Sequence, residues 1–344
     1  MSDISDESAP SGSLAARLRR DFIIGGAPAP IRTLARGAAE RKVLPAVIAI
    51  GAFDGLHRGH RFLIERAVAD ARARGVAAVA VTFDPDPDVI VSDHPAPKLL
   101  TTTDRLRALA LSGVDAVVVV PFTRELAALD HTAFFEGVLG RALDVRAIHV
   151  GSDFRLGARG AATVGAIRAW GAGRGIDVCG HELKAAGAGA ITATRIRGLI
   201  ADGELTQAAD LLGRGYFVRG CVVRGRGEGT GMGFPTANVA RSRVMQMPPD
   251  GVYAAWALTD RGEAWPAAVN VGLPPMFADN PNSSSLEATL LGFSGDLYGR
   301  GLAVLFEERL RPSVSFGSLD ELIAAVTDDI EGVRARFGDR PVRV

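Results

Sequence analysis

Strand-like apolar segments alternate with helix-like segments from about residue 47 to residue 213, and this alternation constrains the fold more than any other feature of the chain. The predicted strands are residues 47–50, 76–83, 115–120 and 147–151. The predicted helices are residues 60–71, 104–111, 132–139, 163–170, 194–201 and 205–212. Helical crossovers between strands produce a parallel sheet covered by helices. Such sheets bind ligands at the carboxyl ends of their strands, so we expect a site in the loops that begin at Gly51, Asp84, Pro121 and Gly151.

The pattern changes after Gly213. Short β-rich segments separated by Gly, Pro and Asn follow, at residues 216–224, 252–258, 267–271, 286–293 and 302–306, before one amphipathic helix at residues 319–337. This spacing favours an antiparallel barrel or sandwich. A length of 344 residues also favours two domains. We therefore predict a disordered tail over residues 1–20, an α/β domain over residues 21–212 and a β domain over residues 213–344.

The charge balance limits the partners of the chain. Lys and Arg together number 39, as do Asp and Glu, so the net charge is zero at pH 7 with neutral histidines. Such a chain lacks the broad positive field that holds nucleic acid or an anionic membrane. We expect small-molecule substrates and neither a nucleic-acid nor a membrane partner. A transient homo-oligomer stays open.

The cysteines, the apolar segments and the first residues indicate the compartment. Cys179 and Cys221 are far apart and belong to no CxxC or Cys/His cluster, which argues against a disulfide framework and a zinc site. The longest apolar runs, such as GVAAVAVTF from Gly75, are well short of the roughly 20 residues of a membrane span. The first residues, MSDISDESAPSGS, are acidic and polar, unlike a secretory signal. We predict a cytoplasmic protein.

The decapeptide GAFDGLHRGH follows the first predicted strand and leads into a helix. Its glycines permit close approach of a backbone, and the helix N-terminus offers unpaired N–H groups and a favourable dipole. His57 and His60 are three residues apart on the same side of the helix entrance. The pattern predicts a phosphate site in which two imidazoles donate hydrogen bonds to an α-phosphate during its transfer. In an isolated HxxH string the alternative is more common, namely that one histidine caps the helix and the other packs.

GAFDGLHRGH resembles the HxGH signature of nucleotidyltransferases, and its FDGxHxGH form resembles the adenylyltransferase half of the prokaryotic bifunctional riboflavin kinase/FMN adenylyltransferases, or FAD synthetases. Three further strings match this family in order. VTFDPDP at 81–87 is similar to the FDPHP loop, GSDFRLGARG at 151–160 to GxDFRFG, and ITATRIR at 191–197 to SSTRIR. The resemblance implies a Rossmann-like nucleotidyltransferase domain with a parallel sheet over residues 21–212, which adenylylates FMN with ATP.

The resemblance also implies site residues in this half, with His57 and His60 as the catalytic residues. Those implied to bind nucleotide are Gly51, Phe53, Asp54, Gly55, Gly59, Thr194, Arg195 and Arg197. Those implied to bind flavin are Asp84, Asp88, Asp153 and Phe154. TRIR by itself is more often only a capped basic helix, and the Asp153–Phe154 pair by itself is equally a turn and a core residue. The chain departs from the family pattern at Asp86, where the FDPHP loop has histidine, and at Thr192, where SSTRIR has serine.

A second set of motifs lies in the β-rich half. GMGFPTANV at 231–239 follows a glycine-rich loop and resembles the PTAN motif of riboflavin kinases. The resemblance implies that Thr236 and Asn238 hold the Mg²⁺ of MgATP, and hard oxygen ligands suit this ion. Gly231 and Gly233 are implied to bind nucleotide, since glycines let phosphates approach the backbone. An ST-turn at Thr236 with Asn238 as a loop cap is the alternative for the tetrapeptide alone.

Glu287 in SLEATLL aligns with the catalytic base of the riboflavin kinases. The 5′-hydroxyl of riboflavin is a poor nucleophile, so phosphoryl transfer needs a carboxylate within hydrogen-bond reach. VNVGLPPMF and FSGDLYG on either side of this segment resemble the family strings NIGxxPTF and FDxDLYG. The resemblance therefore implies a riboflavin kinase-like antiparallel barrel with a closing helix over residues 213–344.

Together the two halves predict an enzyme of FAD biosynthesis. Riboflavin and ATP would give FMN and ADP at the barrel, and FMN and ATP would give FAD and pyrophosphate at the α/β domain, each with Mg²⁺. Two alternatives stay open. One is an FMN adenylyltransferase with a decayed kinase half, because several departures from the family pattern lie in that half. The other is a non-enzymatic flavin-binding regulatory paralogue.

Overall fold

The computed structural model describes residues 12–34, 43–182, 185–186, 189–225, 234–272 and 286–344. The chain divides into two compact units. One is Gly26–Arg195, called the α/β unit below, and the other is Met1–Gly25 together with Ile196–Val344, called the barrel unit. Each unit has its own sheet and its own buried core.

The α/β unit is built on a parallel sheet. Its strands are β1 (Ile31–Thr33), β2 (Leu44–Ile50), β3 (Ala77–Asp84), β4 (Ala116–Pro121), β5 (Leu143–Gly151), β6 (Arg155–Leu156), β7 (Ala162–Thr163), β8 (Asp177–His181), β9 (Ala185–Ala186) and β10 (Gly189–Ala190). Six of them form a sheet in the order β1-β4-β3-β2-β5-β8, with every neighbouring pair parallel. The chain proceeds from β2 to one side and returns to its other side with β5. The strand order therefore reverses between β2 and β5, and ligands bind at the carboxyl ends of the strands at such a switch point.

Both units of the described chain contain helices, and the first of them lies in the barrel unit. They are α1 (Leu14–Asp21), α2 (Arg58–Arg74), α3 (Pro87–Val91), α4 (Thr102–Ala110), α5 (Arg124–Ala127), α6 (Val164–Ala172), α7 (Ala193–Ala201), α8 (Leu205–Leu212) and α9 (Leu319–Phe337). The apolar central strands β2 and β3 are buried, as expected for a sheet with covered faces.

The predicted helix at residues 132–139 differs from the structure. Residues Ala133–Val138 form a π-helical turn. Phe134 contacts Phe83, with ring centroids 6.1 Å apart, while Phe135 stacks on Trp170 at 4.8 Å. Two consecutive aromatic side chains are thus buried against different partners, and a single wide turn accommodates both.

The barrel unit contains an antiparallel sheet that closes on itself. Its strands are β11 (Tyr216–Val223), β12 (Ala237–Arg241), β13 (Gly251–Thr259), β14 (Glu263–Val271), β15 (Leu286–Leu290), β16 (Gly301–Pro312) and β17 (Val342–Arg343). The order is β13-β16-β11-β12-β15-β14, and the pairing of β14 with β13 completes a six-stranded barrel, with β17 added on β14. Closure leaves none of these six strands with an open edge.

Helix α9 closes the barrel unit and has the predicted bounds. Ser318 caps its first turn by accepting a hydrogen bond from the backbone N–H of Glu321 at 3.2 Å. The guanidinium of Arg311 in β16 donates to both carboxylate oxygens of Asp329 at 2.8–3.1 Å. The predicted fold class, a Rossmann-like α/β domain followed by an antiparallel barrel with a closing helix, is confirmed.

The sequence prediction missed several strands. Strands β1, β8 and β12 were not predicted, because β1 has three exposed residues and β8 and β12 mix small and polar residues. Helix α8 has the predicted bounds, and by its contacts it lies in the barrel unit, which resumes at Ile196. Its apolar side packs on β11 and β16.

Part of the predicted disordered tail is a helix. Residues 14–20 lie in α1, which belongs to the barrel unit, while residues 1–11 lie outside the described residues. Leu18 and Phe22 are completely buried, and the Phe22 ring lies 5.8 Å from that of Phe217 in β11. The acidic and polar residues before α1 led to the prediction of disorder. The apolar side chains of this segment are buried only by tertiary packing on the barrel.

Polar contacts also hold α1 on the barrel unit. The buried carboxylate of Asp21 accepts a hydrogen bond from the backbone N–H of Gly215 at 3.1 Å. The guanidinium of Arg17 pairs with the carboxylate of Glu307 in β16 at 2.7 Å. A segment from the start of the chain therefore covers the start of β11.

We predict that Leu18→Ala destabilises the barrel unit by about 2–5 kcal/mol, since it leaves a cavity under a fully buried side chain. Arg19→Ala, in the same helix at an exposed position, is the matched control and should stay within about 0.5 kcal/mol of the wild type. Hydrogen exchange of the β11 amides measures both effects. Equal protection of β11 in the two variants would contradict the packing role of α1.

Candidate active sites

The turn between β2 and α2 carries the two histidines. His57 is the N-cap of α2, and its Nδ1 accepts a hydrogen bond from the backbone N–H of His60 at 3.3 Å. An accepting Nδ1 places the proton of the neutral His57 ring on Nε2. The helix cap that the sequence analysis gave as the alternative is therefore present. It orients the His57 imidazole at the N-terminus of α2.

The two imidazoles are stacked. Their ring centroids are 3.6 Å apart with an interplanar angle of 19°. The pKa of His60 is lowered well below its usual value, first because the ring is desolvated and second because His57 lies against it. His60 Nδ1 is buried and has no hydrogen-bond partner within the described part of the chain. At neutral pH His60 is thus an uncharged hydrogen-bonding group.

Three glycines shape this turn. A Cβ on Gly59 would lie 3.1 Å from His57 Nδ1, so only glycine leaves the capping imidazole undisturbed. Gly55 has a φ of 74°, which favours glycine. A Cβ on Gly51 would lie 3.4 Å from the ring of Phe53. Of the three glycines, Gly59 brings the backbone against the His57 ring, and the binding of a phosphate at this turn stays a prediction.

Phe53 and Asp54 lie beneath the turn. The Phe53 ring is buried and meets the His60 ring edge-on with centroids 5.3 Å apart. The buried Asp54 carboxylate accepts hydrogen bonds from the backbone N–H of Leu99 at 3.0 Å and of Leu100 at 3.3 Å. Phe53 thus packs against a histidine ring, and Asp54 ties the histidine turn to the segment before α4.

Three acidic residues follow one another at the end of β3: Asp84 is its last residue, Asp86 lies in the following loop and Asp88 lies in α3. Asp84 is exposed and accepts a hydrogen bond from the Thr102 hydroxyl at 3.4 Å. Asp88 pairs with the ammonium of Lys98 at 2.5 Å. Burial raises the pKa of Asp86, although the nearby cations Arg105 and Lys98 oppose this shift. Of the two residues predicted here to bind flavin, Asp84 faces solvent and Asp88 forms an ion pair with Lys98.

The loop after β5 carries Asp153 and Phe154 on the other side of the switch point. Asp153 is exposed, and its Oδ1 lies 2.8 Å from the position of a Cβ on Gly151. The backbone N–H of Phe154 donates to the Gly151 carbonyl at 3.0 Å, and its ring packs against the core of the unit. This loop is thus a tight turn with a carboxylate on its outer side.

Helix α7 begins with the ITATRIR string. The Thr192 hydroxyl accepts a hydrogen bond from the backbone N–H of Arg195 at 3.2 Å, and Thr194 is exposed. The Arg195 guanidinium donates to the carbonyl of Gly189 in β10 at 2.9 Å. The carbonyl of Ile191 lies 3.5 Å from a Cβ position on Gly59. The segment that leads into this helix therefore lies beside the histidine turn.

A row of polar side chains crosses three strands of the barrel. Asn238 of β12 is the register partner of Glu287 of β15, which is also the partner of Asn270 of β14. Their neighbours Ala237, Val239, Leu286, Ala288, Val269 and Val271 are buried. Since successive side chains alternate between faces, Asn238, Glu287 and Asn270 share the outer face of the barrel.

The glycine-rich segment lies only partly within the described residues. A Cβ on Gly225 would fall 2.2 Å from Asn238 Nδ2, so the backbone there lies directly on the Asn238 amide. Thr236 is half-buried two residues before Asn238. Gly231 and Gly233, the predicted nucleotide-binding glycines, lie outside the described residues.

Sequence reasoning missed two residues of these sites. Asn270 stands in the NVG string that was used for the family resemblance, and only the strand register places it beside Glu287. Arg105 lies in α4, outside every motif, but its guanidinium donates to the Ala52 carbonyl at 2.7 Å. No local sequence signal distinguishes it from Arg107, which is exposed.

Among the described residues there is no group of three or more His, Cys, Asp or Glu side chains that could hold a metal ion. No helix in the described ranges is long and apolar enough to span a membrane.

The architecture and its two sites define a class of protein. A histidine turn at the switch point of a parallel sheet and a polar row on a closed barrel indicate a two-unit transferase of phosphate-bearing groups. The FAD synthetase family model matches residues 40–195 and the riboflavin kinase family model matches residues 212–337.

Curated relatives and a solved structure agree with this class. The bifunctional riboflavin kinase/FMN adenylyltransferase of Escherichia coli (strain K12) is 36% identical over 293 residues, which cover 85% of this chain and 93% of that protein. That of Bacillus subtilis (strain 168) is 30% identical over 83% of this chain and 90% of that protein. A crystal structure named as a macrolide-efflux protein from Streptococcus pneumoniae has a TM-score of 0.76 at 26% identity and covers 88% of this chain and 98% of that chain.

The chain belongs to the family of bifunctional riboflavin kinase/FMN adenylyltransferases. It is an enzyme of flavin biosynthesis that phosphorylates riboflavin to FMN and adenylylates FMN to FAD, with ATP and flavins as substrates. The function predicted from the sequence is thereby confirmed.

The lowered pKa of His60 predicts an acid-sensitive α/β unit. Below about pH 6.5 the unfolded chain takes up a proton at this residue, whereas the folded chain takes it up only at lower pH. Unfolding then consumes protons, so the free energy of unfolding falls as the pH falls through this window, by up to about 1.4 kcal/mol per pH unit per histidine. Above the window the stability is fully present.

Urea unfolding of the wild type and His60→Asn at pH 7.5 and pH 5.5 checks this prediction. The variant should lose less stability on acidification than the wild type. It keeps the contribution of His181, whose pKa is lowered by burial and by His149. Equal losses in both proteins would show that His60 does not resist protonation.

Proposed function

We propose that the α/β unit carries the adenylyl transfer, with His57 and His60 as its catalytic residues. The stacked, capped imidazole pair at the N-terminus of α2 is the observation that supports this role. In the reaction an oxygen of the FMN phosphate attacks the α-phosphorus of ATP, and the bond to pyrophosphate breaks. Hydrogen-bond donors fixed before the reaction stabilise the charge that develops on the α-phosphate.

We also propose roles for the remaining predicted residues of the adenylyltransferase half. Gly51, Gly55 and Gly59 allow the phosphates to approach the turn, while Phe53 and Asp54 support it. Thr194, Arg195 and Arg197, at the start of α7, are proposed to bind the triphosphate and the leaving pyrophosphate through charge-assisted hydrogen bonds.

The flavin is proposed to lie across the carboxyl ends of β3 and β5. Asp84 and Asp153 are exposed at these two ends, and both are available for hydrogen bonds to polar groups of FMN. Phe154 presents an aromatic ring beside Asp153. Asp88 acts on the flavin site through its ion pair with Lys98.

The barrel unit is proposed to carry the kinase reaction. Glu287 accepts the proton of the riboflavin 5′-hydroxyl as its oxygen attacks the γ-phosphorus of ATP, and the bond to ADP breaks. Its position opposite Asn238 on neighbouring strands supports this assignment. Asn270, on the other side of Glu287, is suited to orient the carboxylate.

Thr236 and Asn238 are proposed to hold Mg²⁺. Their hydroxyl and amide oxygens are hard ligands beside the Glu287 carboxylate, a donor set that fits an ion which keeps water and phosphate oxygens as its other ligands. The bound ion would neutralise charge on the ATP phosphates during transfer. Thr236 and Asn238 thereby orient the nucleotide toward Glu287.

We also propose that the enzyme acts in the cytoplasm. Cys179 and Cys221 are both free thiols, which is typical of a reducing compartment. Both reactions consume ATP, which the cytoplasm supplies.

The first test of this assignment changes a residue of the α/β unit in the full chain. His60→Ala should lower the rate of FMN adenylylation by about 10²-fold or more, because a preorganised donor is lost. His60→Asn, which keeps a side-chain N–H, should retain more activity than His60→Ala. Riboflavin phosphorylation by the same preparations is the control and should be unchanged. A parallel fall of both reactions with the fold intact would reject the assignment.

The second test uses the barrel unit. Glu287→Gln keeps the shape of the side chain and removes the proton acceptor, so the rate of FMN formation should fall by about 10²- to 10⁴-fold. Conversion of supplied FMN to FAD should persist. Unchanged FMN formation in Glu287→Gln would show that Glu287 has no catalytic role.

A further inference from the structure

A buried arginine joins the two loops of the proposed adenylyl site. The Arg105 side chain is 2% exposed, and its guanidinium donates to the carbonyl of Ala52 at 2.7 Å and to that of Phe83 at 2.8 Å. It also pairs with the carboxylate of Asp86. These acceptors lie in the histidine turn, at the end of β3 and in the loop after β3. One guanidinium therefore joins the histidine turn to the end of β3 and the loop that follows it, two segments that are distant in the sequence.

The segment that precedes α4 connects the same two loops. The ammonium of Lys98, whose side chain is 10% exposed, lies 3.2 Å from Asp86 and 2.5 Å from Asp88. The next two backbone N–H groups donate to the Asp54 carboxylate of the histidine turn at 3.0 and 3.3 Å. We call Lys98, Arg105 and these acceptors the Arg105 network. It links the turn that carries the histidines to the acidic loop that the flavin would meet.

We propose that Arg105 is a positioning residue for adenylyl transfer, which sets the spacing between the histidine turn and the loop after β3. This inference rests on the proposed function of the α/β unit. The terminal guanidinium nitrogens of Arg105 donate to protein acceptors, and the side chain is buried. Arg105 therefore acts through the two loops and not by contact with substrate.

The chemistry of the network requires arginine. A guanidinium is planar and offers several N–H donors in a fixed fork, so it can serve two carbonyls and a carboxylate at once. A lysine in its place keeps the charge but presents a single nitrogen. Arg105→Lys should therefore keep the buried charge compensated while releasing at least one of the three acceptors.

The loss should appear in kcat and not in KM. Each loop keeps its own local structure in Arg105→Lys, so ATP and FMN should bind with KM values within about threefold of the wild type. Their relative placement changes, and a displacement of about 1 Å between reacting groups costs on the order of 10² in rate. Pyrophosphorolysis of FAD passes through the same transition state, so its rate should fall by the same factor.

The experiment compares Arg105→Lys with Arg107→Lys in the full chain. Arg107 lies on the same helix at an exposed position, so the same chemical change there should leave all rates unaltered. Riboflavin phosphorylation by each preparation measures the folded enzyme. We expect kcat for FMN adenylylation to fall about 10²-fold in Arg105→Lys alone. An unchanged kcat, or a fall matched by the kinase rate, would overturn the proposal.

Asp86→Asn keeps the inference testable if Arg105→Lys does not fold. This change preserves the shape of the side chain and the two carbonyl contacts of Arg105, and it removes the ion pair with the loop. We expect kcat for adenylylation to fall about tenfold, as for the loss of a charged hydrogen bond. A higher KM for FMN at unchanged kcat would mean that Asp86 contacts the flavin itself, and would overturn the proposal.

His60→Ala in the same series distinguishes failure of the positioning role of Arg105 from failure of the proposed function of the histidine turn. If adenylylation is lost in His60→Ala but unchanged in Arg105→Lys, only the positioning role of Arg105 is rejected. If both variants adenylylate FMN at the wild-type rate, the proposed function of the histidine turn is rejected together with the inference.

Discussion

The hydrogen bond from the His60 backbone N–H to His57 Nδ1 is the interaction on which the adenylyl site depends. It caps α2, fixes the tautomer of His57 and brings the two imidazoles into a stack 3.6 Å apart. It also requires glycine at position 59, where a Cβ would press on the capping ring. Stacking and burial together keep His60 uncharged. The His57 side chain that caps the helix is therefore also one of the two imidazoles proposed to be catalytic.

The second site depends on strand register. Asn238, Glu287 and Asn270 face each other because β12, β15 and β14 are neighbours in a closed antiparallel barrel. A shift of one residue in any of these strands would turn its polar side chain into the core. Closure resists such a shift, since each strand is paired on both sides. The barrel site is thus fixed by the pairing of strands, while the α/β site is fixed by the start of one helix.

Comparison of particular elements shows how much could be read from the sequence. Helices α8 and α9 have the predicted bounds, since apolar periodicity and end signals are local. Helix α1 was missed, because Leu18 and Phe22 gain their meaning only against Phe217 in β11. The role of each motif residue was predicted from the family resemblance and stays a prediction. The contacts of Asp54 and Asp88 with the segment at residues 98–100 had no sequence signal.

The sequence by itself determined the fold class, the order of the two halves and the family, because hydrophobic periodicity and contiguous motifs are properties of neighbouring residues. Only the tertiary structure decided which residues meet. It assigned α1 and α8 to the barrel unit, set Asn270 beside Glu287, and directed the buried Arg105 to Ala52, Phe83 and Asp86. These contacts join segments far apart in the chain. Their energies come from burial and from the pairing of polar groups that a linear pattern does not contain.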